Sequence, residues 1–158
     1  VEDIVSQSLI DQYEAGADLP AKAMAGLSKE ELNAFPIPGT WSIQQVILHL
    51  FDSDLVGADR MKRTIAEPNP TLLAYDENLF ARHLQYDKLD PKLACEIFRL
   101  NRLMMANLLR QLPEDAFSRM GNHTERGPES LTEIVRIYVN HLDHHLKFVK
   151  AKREKLAK

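Results

Sequence analysis

Ser130-Leu131-Thr132-Glu133-Ile134-Val135-Arg136-Ile137-Tyr138-Val139-Asn140-His141-Leu142-Asp143-His144-His145 opens on a helix start signal and closes on three histidines. Ser130 and Glu133 have capping-box spacing, in which each side chain satisfies the other's free backbone N–H. With a turn of about 100° per residue, Leu131, Ile134, Val135, Tyr138, Leu142 and Val149 fall on one apolar stripe. His141 and His145, four apart, point the same way from the edge of that stripe, whereas His144 points elsewhere. Two imidazoles one helical turn apart can grip one divalent cation, but a stable catalytic site wants a third protein ligand from another element. The best candidate is His49.

Three more long helices are expected. Ser42-Ile43-Gln44-Gln45 is a second capping box, followed by Val46, Ile47, Leu50 and Met61 at helical spacing until Pro68. Asp90-Pro91 caps another helix, whose buried face is expected to be Leu93, Ile97, Leu100, Met104 and Leu108, with Pro113 ending it. The first helix starts near Glu2 and carries Ile4, Val5, Leu9 and Tyr13; Gly16 and Pro20 either kink it or split it before Ala21 to Ala25. Ser28-Lys29-Glu30-Glu31 opens a short turn of helix, Tyr75 to His83 forms another, and Phe35 to Gly39 is an extended lead-in. Residues Pro113 to Pro128 read as an irregular connection. Four amphipathic helices of roughly 20 residues predict an all-α four-helix bundle, and the long connections predict crossover topology. No repeat or linker divides the chain, so residues 1–158 are expected to form a single domain.

A chain of 158 residues can bury a core without disulfides or a structural metal, so any metal is expected to be functional. The net charge of −3 is spread over mixed acids and bases, with no basic stripe of the kind that binds nucleic acid. The basic tail from Lys150 to Lys158 reads as a fraying helix end. No apolar run is long enough for a bilayer, so neither nucleic acid nor membrane is an expected partner. The single cysteine, Cys95, cannot form an internal bridge, and no signal-peptide pattern opens the sequence; a cytoplasmic location is expected.

His49 flanks the apolar stripe of its helix beside Val46 and Ser53. Alone, such a histidine reads as an ordinary hydrogen-bonded residue, and all three could form a polar network without metal. Together they are a stronger signal, because unpaired imidazoles on a buried-facing edge are expensive to desolvate. Three neutral nitrogens leave positions open for water and suit zinc, nickel or ferrous iron. Asp54 lies about 20° from Ile43 on the apolar face, where an acid must be paired; it either orients a ligand or bonds a tyrosine or arginine of a neighbouring helix. Asp76 and Glu77 are candidates to approach the open face as a general base. His123 and His83 read as exposed structural residues, Trp41 as a staple for the loop, and Cys95 and the methionines as packing.

Pro38-Gly39-Thr40-Trp41-Ser42-Ile43, leading to His49-Leu50-Phe51-Asp52-Ser53-Asp54, resembles the signature of the DinB/YfiT-like family of metal-dependent enzymes. Glu125-Arg126-Gly127, followed by the capped helix with His141-x-x-His144-His145, is similar to that family's C-terminal element. The Tyr13 to Leu32 region and Tyr75-Asp76-Glu77-Asn78 also resemble members, so the likeness covers nearly the whole chain. The resemblance implies a four-helix bundle, commonly a homodimer, with a metal held by His49, His141 and His145. Many relatives carry Glu where this chain has Asp54, whose side chain reaches less far. Relatives are described as hydrolases and as thiol-dependent transferases or isomerases. The resemblance therefore implies either metal-dependent hydrolysis of a small molecule or transfer using a small thiol. A non-catalytic bundle that binds a metal or ligand and dimerises would keep the same three residues; the groups around the open site discriminate between them.

Overall fold

The computed structural model describes residues 2–157, and side chains from residue 6 to residue 157. The expected apolar positions Ile4 and Val5, and Lys158 of the basic tail, lie outside the described side chains. Among the described residues seven α-helices follow in order: α1 (Glu2–Ala15), α2 (Leu19–Met24), α3 (Lys29–Asn33), α4 (Ile43–Ala66), α5 (Glu77–His83), α6 (Pro91–Arg110) and α7 (Leu131–Leu156). Capping boxes start α3, α4 and α7: Ser28, Ser42 and Ser130 each accept from the backbone N–H three residues on, and Glu31, Gln45 and Glu133 reach back. Asp90 caps α6 by accepting from the N–H groups of Lys92 and Leu93.

The four long helices α1, α4, α6 and α7 form the bundle. Both α4 and α1 pack directly on α6 and α7. Two consecutive pairs, α1 with α4 and α6 with α7, are therefore diagonal, while α4 and α6 are adjacent; the two diagonal connections are the long crossovers anticipated from the sequence. The first helix is split rather than kinked: α1 ends at Ala15, and α2 begins with Pro20 in its first turn. Gly16 fits the corner because a Cβ there would stand 2.5 Å from Leu142 Cδ2 and 3.0 Å from Arg102 Nη1.

The structure corrects the expected buried face of α6. Leu93, Ile97, Leu100 and Met104 are exposed and Leu108 is only partly covered, while Ala94, Cys95, Phe98, Arg102, Met105, Ala106 and Leu109 turn inward. The inward face is the less hydrophobic of the two and has a charged residue at its centre. Arg102 is nevertheless 1 % exposed. Its Nε and Nη2 donate to the two oxygens of Asp54 at 2.8 and 2.9 Å, and Nη1 and Nη2 donate to the carbonyls of Tyr13 and Tyr138. The guanidinium also stacks 4.3 Å from the Tyr13 ring centroid and 4.9 Å from that of Phe98. Those rings belong to the two apolar clusters of the core, one around Ile10, Met61 and Val135, the other around Ile43, Ile47 and Leu50.

The connection expected to be irregular is partly a β-hairpin. Strands β2 (Met120–His123) and β3 (Gly127–Ser130) pair antiparallel, and β1 (Thr71–Leu72) adds in parallel to β2. Such short strands, containing Gly121, Asn122 and Pro128, carry little period-2 signal. Gly121 is required there by contact: a Cβ would lie 2.7 Å from Leu72 and 2.8 Å from Thr64 Oγ1. This small sheet carries the loop that closes one side of the site.

Candidate metal centre

His49 lies in the second turn of α4 and is 1 % exposed, while His141 and His145 occupy successive turns of α7. The three rings converge. His49 Nε2 stands 3.0 Å from His141 Nε2 and 3.2 Å from His145 Nε2. One ring nitrogen carries either a proton or a lone pair, so it cannot serve both contacts well. A cation among the three nitrogens serves all of them. Two ligands of one ion with bonds of about 2.0–2.1 Å are roughly 2.9 Å apart at a right angle and roughly 3.3 Å apart at the tetrahedral angle, which brackets the observed spacings. His49 Nδ1 is buried without a hydrogen-bond partner among the described residues, and the Trp41 ring stands edge-on to its imidazole with centroids 5.0 Å apart. His144 is exposed and packs its ring on Phe148.

Burial, followed by the charges of the neighbouring histidines, holds His49 down at about 3 from an ordinary 6.5. Burial, then His145, Arg102 and His144, holds His141 at about 3. Burial, then His144 and Lys152, holds His145 at about 4. All three are therefore neutral imidazoles at neutral pH.

The two acids expected from the short helix divide their roles. Asp76 caps α5, its Oδ1 accepting from the N–H groups of Asn78 and Leu79 at 2.9 and 3.1 Å. The cap engages one oxygen of the Asp76 carboxylate. It also aims the next residue: Glu77 Oε2 lies 3.4 Å from His49 Nε2, and its side chain is half exposed. Gln44 steadies the chain beyond α5 by donating to the carbonyls of Tyr86 and Leu89. Asp54 lies in the core, with Arg102 donating to both of its oxygens. Of the alternatives weighed for it, the arginine-bonded core acid is the one observed.

A cleft of about 190 Å³ opens beside the cluster, lined by His49, His141, Glu77, Tyr75, Arg60, Tyr138 and His123 among others. Ser53 and Tyr75 share a hydrogen bond there, and burial pushes the Tyr75 hydroxyl up to about 12, so it stays protonated. Sequence reasoning missed Arg60 and misjudged His123, which is 4 % exposed rather than solvent-facing. His123 could have been suspected only from its place before Gly127; Arg60 gave no signal, since a helical arginine reads as surface. Trp41 proves to do more than staple a loop, because its ring touches the cluster.

The cleft wall depends on a glycine. A Cβ at Gly57 would lie 2.5–2.8 Å from the Cζ, Cε1 and Cε2 atoms of Tyr138. Gly57→Ala is expected to push that ring off its seat and to lower stability by about 1–3 kcal/mol, read as a shifted urea midpoint.

A sequence model of the DinB superfamily matches residues 12–149. A protein of Bacillus licheniformis, named as a proposed metal-dependent hydrolase, is 31 % identical over 135 residues, covering 85 % of this chain and 77 % of that protein. A similarly named protein of Oceanobacillus iheyensis is 30 % identical over 146 residues, covering 92 % and 84 %. Among solved structures, YfiT from Bacillus subtilis, described as having an unusual four-helix bundle topology, superposes with a TM-score of 0.90 at 22 % identity, over 96 % of this chain and 87 % of that one. A mycothiol-dependent maleylpyruvate isomerase superposes with a TM-score of 0.71 at 12 % identity, over 90 % of this chain and 59 % of that one.

Proposed function

The chain belongs to the DinB superfamily, and on that premise we propose that it is a metal-dependent hydrolase of small molecules, with His49, His141 and His145 holding a divalent ion through Nε2. The observation that carries this reading is the convergence of the three nitrogens on one point beside an open cleft. The relatives named as proposed metal-dependent hydrolases support it. Zinc and nickel suit the all-imidazole donor set, and iron is compatible with it. A bound ion supplies Lewis acidity, polarising a substrate carbonyl and making a water proton easier to remove. Glu77 Oε2, already at the mouth of the cluster, is placed to accept that proton as general base. The Tyr75 hydroxyl, held by Ser53, is placed to donate to the substrate. The second reading, transfer with a small thiol as the incoming nucleophile, uses the same cleft and is supported by the likeness in fold to a mycothiol-dependent enzyme. Elemental analysis of the purified protein, followed by ester and amide hydrolysis assays with and without added thiol, tests both. Absence of bound metal after purification and reloading would refute the reading.

The histidines also give the metal-free protein a pH signature. Their folded pKa values lie below the ordinary 6.5, so on acidification the unfolded chain takes up protons that the folded cluster refuses. Their contribution to stability is present above about pH 6.5 and falls away as the pH drops toward about 3. Between pH 7.5 and pH 5 the urea midpoint of metal-free protein is expected to fall further than that of a variant with all three replaced by alanine.

The exposed stripe Leu93, Ile97, Leu100 and Met104 supports a homodimer. Its spacing of four, three and four is that of a coiled-coil seam, and large apolar residues repeated on one exposed face mark an interaction surface. Sedimentation is expected to give a dimer mass for the protein and a monomer mass for Leu100→Glu. No described helix is long and apolar enough to cross a membrane.

A further inference from the structure

Arg60 is 6 % exposed, lines the cleft, and makes no ion pair among the described residues. Arg102, the other buried arginine, has its carboxylate; Arg60 has none. Its Nη1 donates to the Tyr138 hydroxyl at 2.9 Å and its Nη2 to the Leu73 carbonyl at 2.6 Å. A guanidinium has five N–H groups, so two bonds leave three without a protein acceptor among the described residues, the buried Nε among them. A buried charge left in this condition calls for a counter-ion.

The neighbours are donors as well. The Tyr138 hydroxyl accepts from Arg60, which frees its own proton to be donated. His123 Nδ1 accepts from the backbone N–H groups of Glu125 and Arg126, both at 3.1 Å, which places the ring proton on Nε2. Burial and the charges of Arg126 and Arg60 hold the His123 pKa below its ordinary value, so the ring is a neutral donor. Arg126, also on the cleft wall, is already paired with Glu129. The Tyr138 ring lies 6.4 Å from that of His141, so this donor group stands one side chain from the histidine cluster.

We propose that Arg60, with the Tyr138 hydroxyl and His123 Nε2–H, forms a subsite for a carboxylate, and that the substrate is a small carboxylic acid whose reacting bond lies at the histidine cluster. This rests on the metal-centre reading and adds the substrate class to it. A planar fork of N–H groups matches a carboxylate, and a cleft of about 190 Å³ limits the rest of the molecule to a few atoms.

The test titrates butyrate, its neutral isostere butyramide, and inorganic phosphate into metal-loaded and metal-stripped protein. Binding is followed by NMR through the Arg60 Nε–H and His123 ring signals. Butyrate is expected to bind about tenfold or more tightly than butyramide in both forms, and more tightly than phosphate. Arg60→Gln is expected to abolish that preference while leaving metal content unchanged, and Arg60→Lys to keep part of it. Equal binding of butyrate and butyramide would overturn the proposal. So would a preference that survives Arg60→Gln or needs the metal, and tighter binding of phosphate would overturn the carboxylate assignment. Should Arg60→Gln fail to fold, Tyr138→Phe removes one donor alone and is expected to weaken butyrate but not butyramide. Failure of the metal reading registers separately, as absence of metal uptake, and leaves the stripped-protein comparison intact.

Discussion

His49→Ala is expected to bind zinc or nickel at least about 100-fold more weakly than the unaltered protein, since even the outer partners of a metal ligand are worth about 10–100-fold in affinity. The effect should be largest here because His49 Nε2 is the nitrogen in close contact with both of the others. It is also the only ligand candidate from α4; without it, α7 offers two imidazoles one turn apart and no second element. His141→Ala and His145→Ala should also lose metal, by smaller factors, and His144→Ala should retain it, because that ring is exposed and packed on Phe148. The protein supplies its own probe. Trp41 is the sole tryptophan, and its ring centroid is 5.0 Å from that of His49, so cobalt or nickel at the cluster is expected to quench its fluorescence. Quenching curves for the four variants, with elemental analysis beside them, read the assignment directly. Equal metal loss in all four, His144→Ala included, would remove it.

The histidine geometry was legible because helical periodicity is a strong local signal. Spacing alone separated His144 from His141 and His145, and the capping residues Ser42 and Ser130 set where each helix begins. What the sequence left dark depends on partners distant in the chain. Arg102 is held inside by Asp54, 48 residues away, a pairing that no local pattern shows, and the inward face of α6 turns on it. The exposed leucines on that helix are as hydrophobic as a core, so pattern alone cannot tell an outward apolar stripe from an inward one. The β2–β3 hairpin is invisible for another reason: its glycine is demanded by Leu72 and Thr64, not by any local preference. Among the acids, Asp76 and Glu77 are neighbours and were equivalent on paper. The N-cap geometry of α5 separates them, engaging one carboxylate with backbone and turning the other to the cluster.

The pair that hid the core face also predicts the largest loss of stability. Asp54→Ala is expected to cost about 3–5 kcal/mol, because it leaves the Arg102 guanidinium buried without its counter-charge. Domains of this kind are stable by about 5–15 kcal/mol in all, so the variant should unfold at a much lower urea concentration. The change also reaches the site. Arg102 donates to the Tyr138 carbonyl, one turn before His141, so Asp54 and Arg102 fix α7 against α4 at the level of the histidines. Asp54→Asn keeps the shape and one acceptor but removes the charge, and it should fall between the two. Saturating zinc separates a loosened frame from a destroyed site: an ion that binds only the folded form adds stability as its concentration exceeds the dissociation constant, about 2.7 kcal/mol at a hundredfold excess. Asp54→Ala should therefore recover part of its urea midpoint in zinc, whereas His49→Ala should gain almost nothing. If zinc fails to raise the midpoint of an Asp54→Ala protein that still folds, the pair does more than brace the helices, and the ligand geometry itself depends on it.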